Sequence, residues 1–337
     1  MATDRDSARA PLGIILFVPV IGFHASHEQH PPSALLRDAR RAEAAGFGAV
    51  SSSDHLSPWS ERQGESGFAW SWLGAAMQVT SVPFGVVNAP GQRYHPAIIA
   101  QAIATLGEMF PGRLWVAMGS GEASNEHVTG DPWPPKPVRH ERLLECIEVV
   151  RALLRGEEVS VDGRIRVDRA RLWTLPDQPP PILGAALTVE TAQWCGGWAD
   201  GLITVNQQED KLRAVIDAFR DGGGMGKPVR VQVKVAWAAT EDEALAAAFD
   251  QWRTNVFDSV LMADLERIEQ FEEAARHVRP EDIGASVLVS SDLGRHAAWL
   301  RQILDAGVDD VFVHQVPRDQ GAFIDAFGAK VLPEVLG

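Results

Sequence analysis

His55, set beside Asp54 in Ser53-Asp54-His55-Leu56-Ser57-Pro58-Trp59, and Glu122, in Gly119-Ser120-Gly121-Glu122-Ala123-Ser124-Asn125-Glu126, are the residues best placed to do chemistry. An imidazole titrates near about 6.5, so a neutral His55 can take a proton from a substrate hydroxyl. Trp59 offers a flat apolar wall four residues on. Glu122 follows a buried apolar run; partial desolvation raises a carboxyl's pKa and lets it hold a proton for donation. Gly119 and Gly121 permit a ligand to approach the backbone. A base, a wall and an acid describe a redox site around a flat cofactor. Plainer readings stand beside each: Asp54 capping a turn with His55 packed against it, Glu122 favouring a helix dipole, Trp59 in the core or at a rim.

Two more segments could contribute. Val86-Val87-Asn88-Ala89-Pro90-Gly91 runs from a strand into a turn. Leu183-Gly184-Ala185-Ala186-Leu187-Thr188 is a small-residue strand entering a helix, whose first N–H groups and the Thr188 hydroxyl suit a phosphate. Close helix–strand packing explains the same small residues. Trp70, Trp72 and Trp133 are candidates for a pocket rim. His24, His27 and His30 cluster without a carboxylate pair or an H-x-x-x-H spacing, so no metal site is expected. The G-x-S-x-G elbow is missing, which leaves acyl transfer unsupported.

The elements that must position these residues alternate regularly. Strands are expected at Ile14–Gly22, Ala49–Ser52, Phe84–Asn88, Leu114–Met118, Ile182–Ala186, Gly201–Val205, Val229–Ala236 and Asp310–His314, with Ala285–Val289 as an extra. Helices are expected at Ser33–Ala45, Pro96–Met109, His140–Leu154, Thr188–Trp198, Gln208–Arg220, Asp242–Phe257 and Leu293–Ala306. Strand–helix alternation of this length predicts a (β/α)8 barrel with chemistry at the C-terminal strand ends. An open doubly wound sheet is second, because no G-x-G-x-x-G follows the first strand. One domain spans residues 1–337, with insertions near 60–72, 129–137 and 256–280.

Composition narrows the class. The chain of 337 residues is 45% hydrophobic with a formal charge of −14, from 31 basic and 45 acidic residues. Such acidity without a basic block argues against nucleic acid and anionic membrane. Two cysteines without CxxC suit a reducing cytoplasm. Pro11–Phe23 imitates a secretory h-region, but Asp4 and Asp6 cancel the preceding Arg5 and Arg9, and a first buried strand is the better reading.

Several motifs together resemble the luciferase-like superfamily of flavin and deazaflavin oxidoreductases. They are Ala25-Ser26-His27-Glu28-Gln29, Ser53-Asp54-His55 with Pro58-Trp59, Arg93-Tyr94-His95-Pro96, Ala100-Gln101-Ala102, Gly119-Ser120-Gly121-Glu122 with Asn125-Glu126, and Ala199-Asp200-Gly201. The branch most similar is that of the coenzyme F420-dependent glucose-6-phosphate dehydrogenases, with a subgroup named non-F420 flavinoid oxidoreductases. The resemblance implies a homodimer of insertion-bearing barrels binding F420 (alternatively FMN) in the barrel mouth, over a non-proline cis peptide matched by Val86-Val87. It implies His55 as the base on the sugar hydroxyl, Trp59 steadying the intermediate, and Glu122 protonating the reduced ring. It also implies that Asp54, Val86, Val87, Asn88, Gly119, Ser120, Gly121, Asn125 and the Gly184–Thr188 segment (Gly184, Ala185, Ala186, Leu187, Thr188) form the cofactor pocket. Gln208 and Ala285 stand where the sugar-phosphate enzymes carry phosphate-binding lysines, so the expected substrate is a non-phosphorylated sugar or alcohol. Leu187-Thr188 stand in place of a glycine pair. The expected activity is hydride transfer between a hydroxyl compound and the deazaflavin or flavin. An FMN-dependent monooxygenase is the alternative, and a cofactor carrier without turnover a third.

Overall fold

The computed structural model describes residues 19–337. Eight parallel strands close into a ring: β1 (Val20–Ala25), β2 (Val50–Ser53), β3 (Phe84–Asn88), β4 (Leu114–Met118), β5 (Ile182–Ala185), β6 (Leu202–Val205), β7 (Val229–Ala236) and β8 (Asp310–Gln315). Each strand pairs with the next in sequence, and β8 returns to β1 with Val20 opposite Asp310. Helices cover the outside, so the fold is the expected (β/α)8 barrel.

Pleating decides what each strand residue faces. Side chains alternate between the helix layer and the barrel interior. In β7 the sequence Val-Arg-Val-Gln-Val-Lys-Val alternates strictly, and the valines join the large core between strands and helices. The interior carries a second, smaller cluster that includes Trp115 and Phe312, with ring centroids 5.4 Å apart. Two glycines make room for these rings: a Cβ on Gly22 would lie 2.5 Å from Phe312 Cδ1, and one on Gly85 1.9 Å from Trp115 Cε2. Below the aromatic plug Arg230 pairs with Asp310 at 2.8 Å. Above it the barrel opens into a cavity.

Differences from the sequence reading have local causes. The expected first strand, Ile14–Gly22, lies partly outside the described residues, as does most of the signal-like Pro11–Phe23 run; the observed strand extends to Ala25. Polar His24 ends an apolar run in the sequence but points into the barrel, donating to or accepting from Ser51 Oγ at 2.9 Å. The helix Ala69–Gln78, which begins inside the expected 60–72 insertion, is apolar on most sides and so shows no amphipathic period. Ala285–Val289 shrinks to Leu288–Val289, which pairs with β7 outside the ring. A hairpin, Val159–Asp162 with Arg166–Ala170, precedes β5. Among the described residues no helix is long and apolar enough to cross a membrane.

Candidate active site

β1 and β2 end side by side and bring Glu28 against His55. Glu28 follows β1 and is 1% exposed. Its Oε2 accepts a hydrogen bond from Ser26 Oγ at 2.7 Å, and its Oε1 accepts one from Ser53 Oγ. His55 Nδ1 lies 2.9 Å from the same Oε1. Burial pushes the Glu28 carboxyl up, but the facing imidazole and the two hydroxyls outweigh it and hold the carboxyl well below its usual range. For His55 the balance is the mirror image: burial lowers its pKa, Glu28 and Glu122 raise it, and the net shift is upward. Nδ1 is thus turned to the carboxylate, while the ring borders the cavity. Glu28, part of the Ala25–Gln29 motif, is a buried carboxylate to which the sequence reading gave no role.

Trp59 meets His55 edge to face, with centroids 4.5 Å apart, and is itself backed by Trp252 at 5.9 Å. Glu122 comes from the end of β4. It stands at the N-cap of the short helix Ala123–Glu126 with extended backbone, and its side chain makes no cap hydrogen bond to that helix. Burial raises its pKa against the pull of His55 and the Trp59 indole N–H. Oε2 is buried without a hydrogen-bond partner. His55, Trp59 and Glu122 therefore share one chamber.

Asp54 turns the other way from His55. Its Oδ1 accepts from Tyr94 Oη at 3.0 Å, and Arg93 Nη2 lies 3.6 Å from Oδ2 while donating to the Asp54 carbonyl at 2.7 Å. The Arg93 backbone N–H donates to Glu126 Oε2 at 2.6 Å. One buried guanidinium is shared by two carboxylates that burial has pushed up. Asn125 Oδ1 accepts from Leu56 N at 2.8 Å and so ties the β4 loop to the β2 loop.

The cavity, of about 680 Å³, reaches His55, Trp59, Glu122, Asp54, Val87, Asn88, Gly119, Ser120, Gly121, Asn125, Ala185, Ala186 and Leu187. Its features fit a flat polar ring. Gly119, Ala185 and Ala186 leave one wall low, and Asn88 Oδ1 is a buried acceptor without a hydrogen-bond partner. Gly121 holds φ +85°, and Trp133 lies above it.

Three expected pocket residues do not line the cavity. Val86 is buried in the outer core, one pleat position from inward-facing Val87. Gly184 also faces outward: a Cβ there would lie 2.6 Å from Cys195 Sγ, so its smallness serves strand–helix packing. Thr188 caps the helix Val189–Gly196, accepting from Thr191 N at 3.3 Å. No cis peptide occurs among the described residues, and Val86-Val87 forms regular ladder pairs with β2 and β4. Of the rim tryptophans, Trp70 and Trp72 are core residues, and Trp72 donates to the Pro32 carbonyl at 3.1 Å. Trp133 does not line the cavity itself but lies against Gly121, which does; its Nε1 donates to Asp264 Oδ1 at 3.0 Å, and Arg139 stacks on its ring at 4.4 Å while reaching the same Asp264 oxygen at 3.2 Å.

Comparison with known proteins places this arrangement among relatives. Residues 13–310 match the model of the family described as luciferase-like monooxygenase. An F420-dependent hydroxymycolic acid dehydrogenase of Mycobacterium tuberculosis is 35% identical over 325 residues, covering 94% of this chain and 88% of the relative. An F420-dependent glucose-6-phosphate dehydrogenase of Beutenbergia cavernae is 32% identical, covering 94% and 97%. A solved F420-dependent secondary alcohol dehydrogenase, in complex with an F420-acetone adduct, superposes with a TM-score of 0.88 at 30% identity, covering 94% and 99%.

Proposed function

The chain belongs to the luciferase-like monooxygenase family, and from that premise we infer that it is an F420-dependent dehydrogenase oxidising a non-phosphorylated hydroxyl compound. The observation that carries the reading is the Glu28–His55 pair facing Trp59 and Glu122 in one chamber. A monooxygenase working with dioxygen has no evident need for a base held by a buried carboxylate. The relatives at 30–35% identity are F420-dependent dehydrogenases.

When bound, a deazaflavin accepts a hydride from the carbinol carbon. Asn88, Gly121, Asn125, Asp54 and the Ala185–Leu187 segment would hold the ring, with Asn88 Oδ1 as the unpartnered acceptor among them. The protein's own work is with protons. Glu28 keeps Nδ1 of His55 engaged, so Nε2 is the atom that takes the hydroxyl proton. Its raised pKa makes it a stronger base than free imidazole. Glu122, whose pKa burial raises, is the group that carries the second proton of the cycle on a carboxyl oxygen. Trp59 fixes the His55 ring and covers it with apolar surface, which excludes water from the transfer.

Gln208 and Ala285 both line the cavity, so neither position supplies a cation to a substrate phosphate. The test offers F420 and FMN in parallel to the purified protein with a panel of alcohols and with glucose and glucose 6-phosphate. Alcohol-dependent bleaching of F420, with no oxygen uptake, is the expected result. Turnover only with FMN and oxygen, or a strong preference for glucose 6-phosphate, would overturn the corresponding part of the reading.

A further inference from the structure

Lys234 is a cation in the cavity that this chemistry leaves unused. On β7 it stands opposite His314 of β8, and the His314 ring lies 4.9 Å from that of His24 on β1. These three form the topmost interior layer of this side of the barrel, above the Phe312 plug, and all three line the cavity. The lysine is half-buried, yet no carboxylate lies within ion-pair distance and no acceptor takes its Nζ among the described residues. The neighbours are already committed or neutral. Burial holds His24 at about 3 and His314 well below its ordinary value, so both are uncharged at neutral pH. Gln232 is engaged with His314 Nδ1 at 3.3 Å, and Asn206 Oδ1 accepts the Lys234 backbone N–H at 3.0 Å. In the ring β1 lies between β8 and β2, so His24 stands between Lys234 of β7 and the end of β2 that carries His55.

A cation taken out of water without a counter-ion is costly, and an anionic ligand removes that cost. We propose that Lys234 binds the carboxylate of a hydroxy-acid substrate whose carbinol reaches His55. This rests on the dehydrogenase reading and specifies its substrate class. The reaction balances as hydroxy acid to keto acid: the carbinol C–H leaves as hydride to the deazaflavin, and the O–H proton goes to His55. A carboxylate suits the site better than a phosphate, because Lys211, the other lysine of the cavity lining, is exposed, and the one half-buried ammonium beside two neutral imidazoles matches one negative charge. A neutral hydroxyl would leave the charge uncompensated.

Binding is tested without cofactor by the fluorescence of Trp59 and Trp252, which both line the cavity. The wild-type protein, Lys234→Met and Lys234→Gln are titrated with butyrate, butyramide and inorganic phosphate. Butyrate should bind the wild type at least about tenfold more tightly than butyramide, and both variants should lose that preference. Equal butyrate affinity in the wild type and a folded variant, or a preference for phosphate, overturns the proposal. Turnover separates it from the reading it rests on. With F420, kcat/KM for 3-hydroxybutyrate should exceed that for 2-butanol, and Lys234→Met should abolish the difference. If both alcohols are oxidised equally by wild type and variant, the Lys234 site falls and the dehydrogenase stands. If Lys234-dependent butyrate binding persists while no alcohol is oxidised, the dehydrogenase falls and the anion site stands.

Discussion

Glu28 Oε1 lies 2.9 Å from His55 Nδ1, joining the loop after β1 to the end of β2. The pair opposes burial: desolvation is the largest single influence on the imidazole, and Glu28, helped by Glu122, outweighs it and carries the net shift upward. His55 as base must be unprotonated, so activity falls as pH drops through its raised pKa, above the ordinary 6.5. Glu28→Gln removes the charge and keeps much of the shape. The acidic limb of kcat/KM should move to lower pH, and turnover should fall by about 10²- to 10⁴-fold as the base weakens and loses its orientation. A pH–rate profile of the two proteins checks both effects; an unmoved limb would remove Glu28 from the mechanism.

Gly121 and Gly184 look alike in the sequence but should respond differently. Gly121→Ala places a side chain at φ +85° and a Cβ 3.1 Å from Glu126 Cγ, a strain of roughly 1–2 kcal/mol. Trp133 and Ala89 are its other neighbours, so a larger residue here meets protein before it meets a ring. Urea denaturation should show the loss of stability, and F420 titration a weaker cofactor. Gly184→Ala drives a Cβ into Cys195 and should cost about 1–3 kcal/mol by overpacking. Its F420 affinity, measured below the unfolding transition, should stay close to wild type.

The contrast shows what the sequence made legible. β3, β4 and β7 match their expected bounds, because their apolar runs are cut off by turn residues and β7 alternates strictly. Within a strand, however, adjacent residues face opposite sides. Val86 and Gly184 were drawn into the pocket along with Val87 and Ala185, although only the latter point inward. Glu28 belongs to the Ala25–Gln29 motif, but its pairing with His55 is not legible there, because the two residues meet only when β1 and β2 end side by side. Lys234 was hidden by its pattern. A polar residue alternating with valines reads as solvent-facing, and only closure of the ring turns that face into a cavity.

Asp264 joins two of the insertions behind Gly121 of the cavity wall, accepting from Trp133 Nε1 and pairing with Arg139 at 3.2 Å. Asp264 is 57% exposed on its side chain, so the pair itself should contribute only about 0–1 kcal/mol to folding. Asp264→Ala should therefore leave the melting temperature nearly unchanged. It should speed F420 release in stopped-flow displacement, because Trp133 loses the partner that holds it over Gly121. An unchanged release rate would show that the contact does not govern release.

The distribution of protons between His55 and Glu122 gives the sharpest test of the mechanism. The reactive form has a neutral imidazole and a protonated carboxyl. It contains the same number of protons as the ion pair of imidazolium and carboxylate, and each residue favours the charged form of the other. Rate should thus follow a bell whose two limbs belong to the pair and whose height is set by the fraction in the neutral form. Glu122→Gln removes one titration and the competing ion pair. The alkaline limb should disappear, while F420 affinity stays near wild type because the amide keeps the carboxyl's shape. The acidic limb should stay in place or move to higher pH, since it then reports His55 alone beside a neutral side chain rather than the first proton lost by the pair. His55→Ala should flatten the acidic limb and lower turnover by about 10²- to 10⁴-fold. Wild-type turnover of a verified alcohol by His55→Ala would end the case for His55 as the base, and the flavin monooxygenase reading would then take precedence.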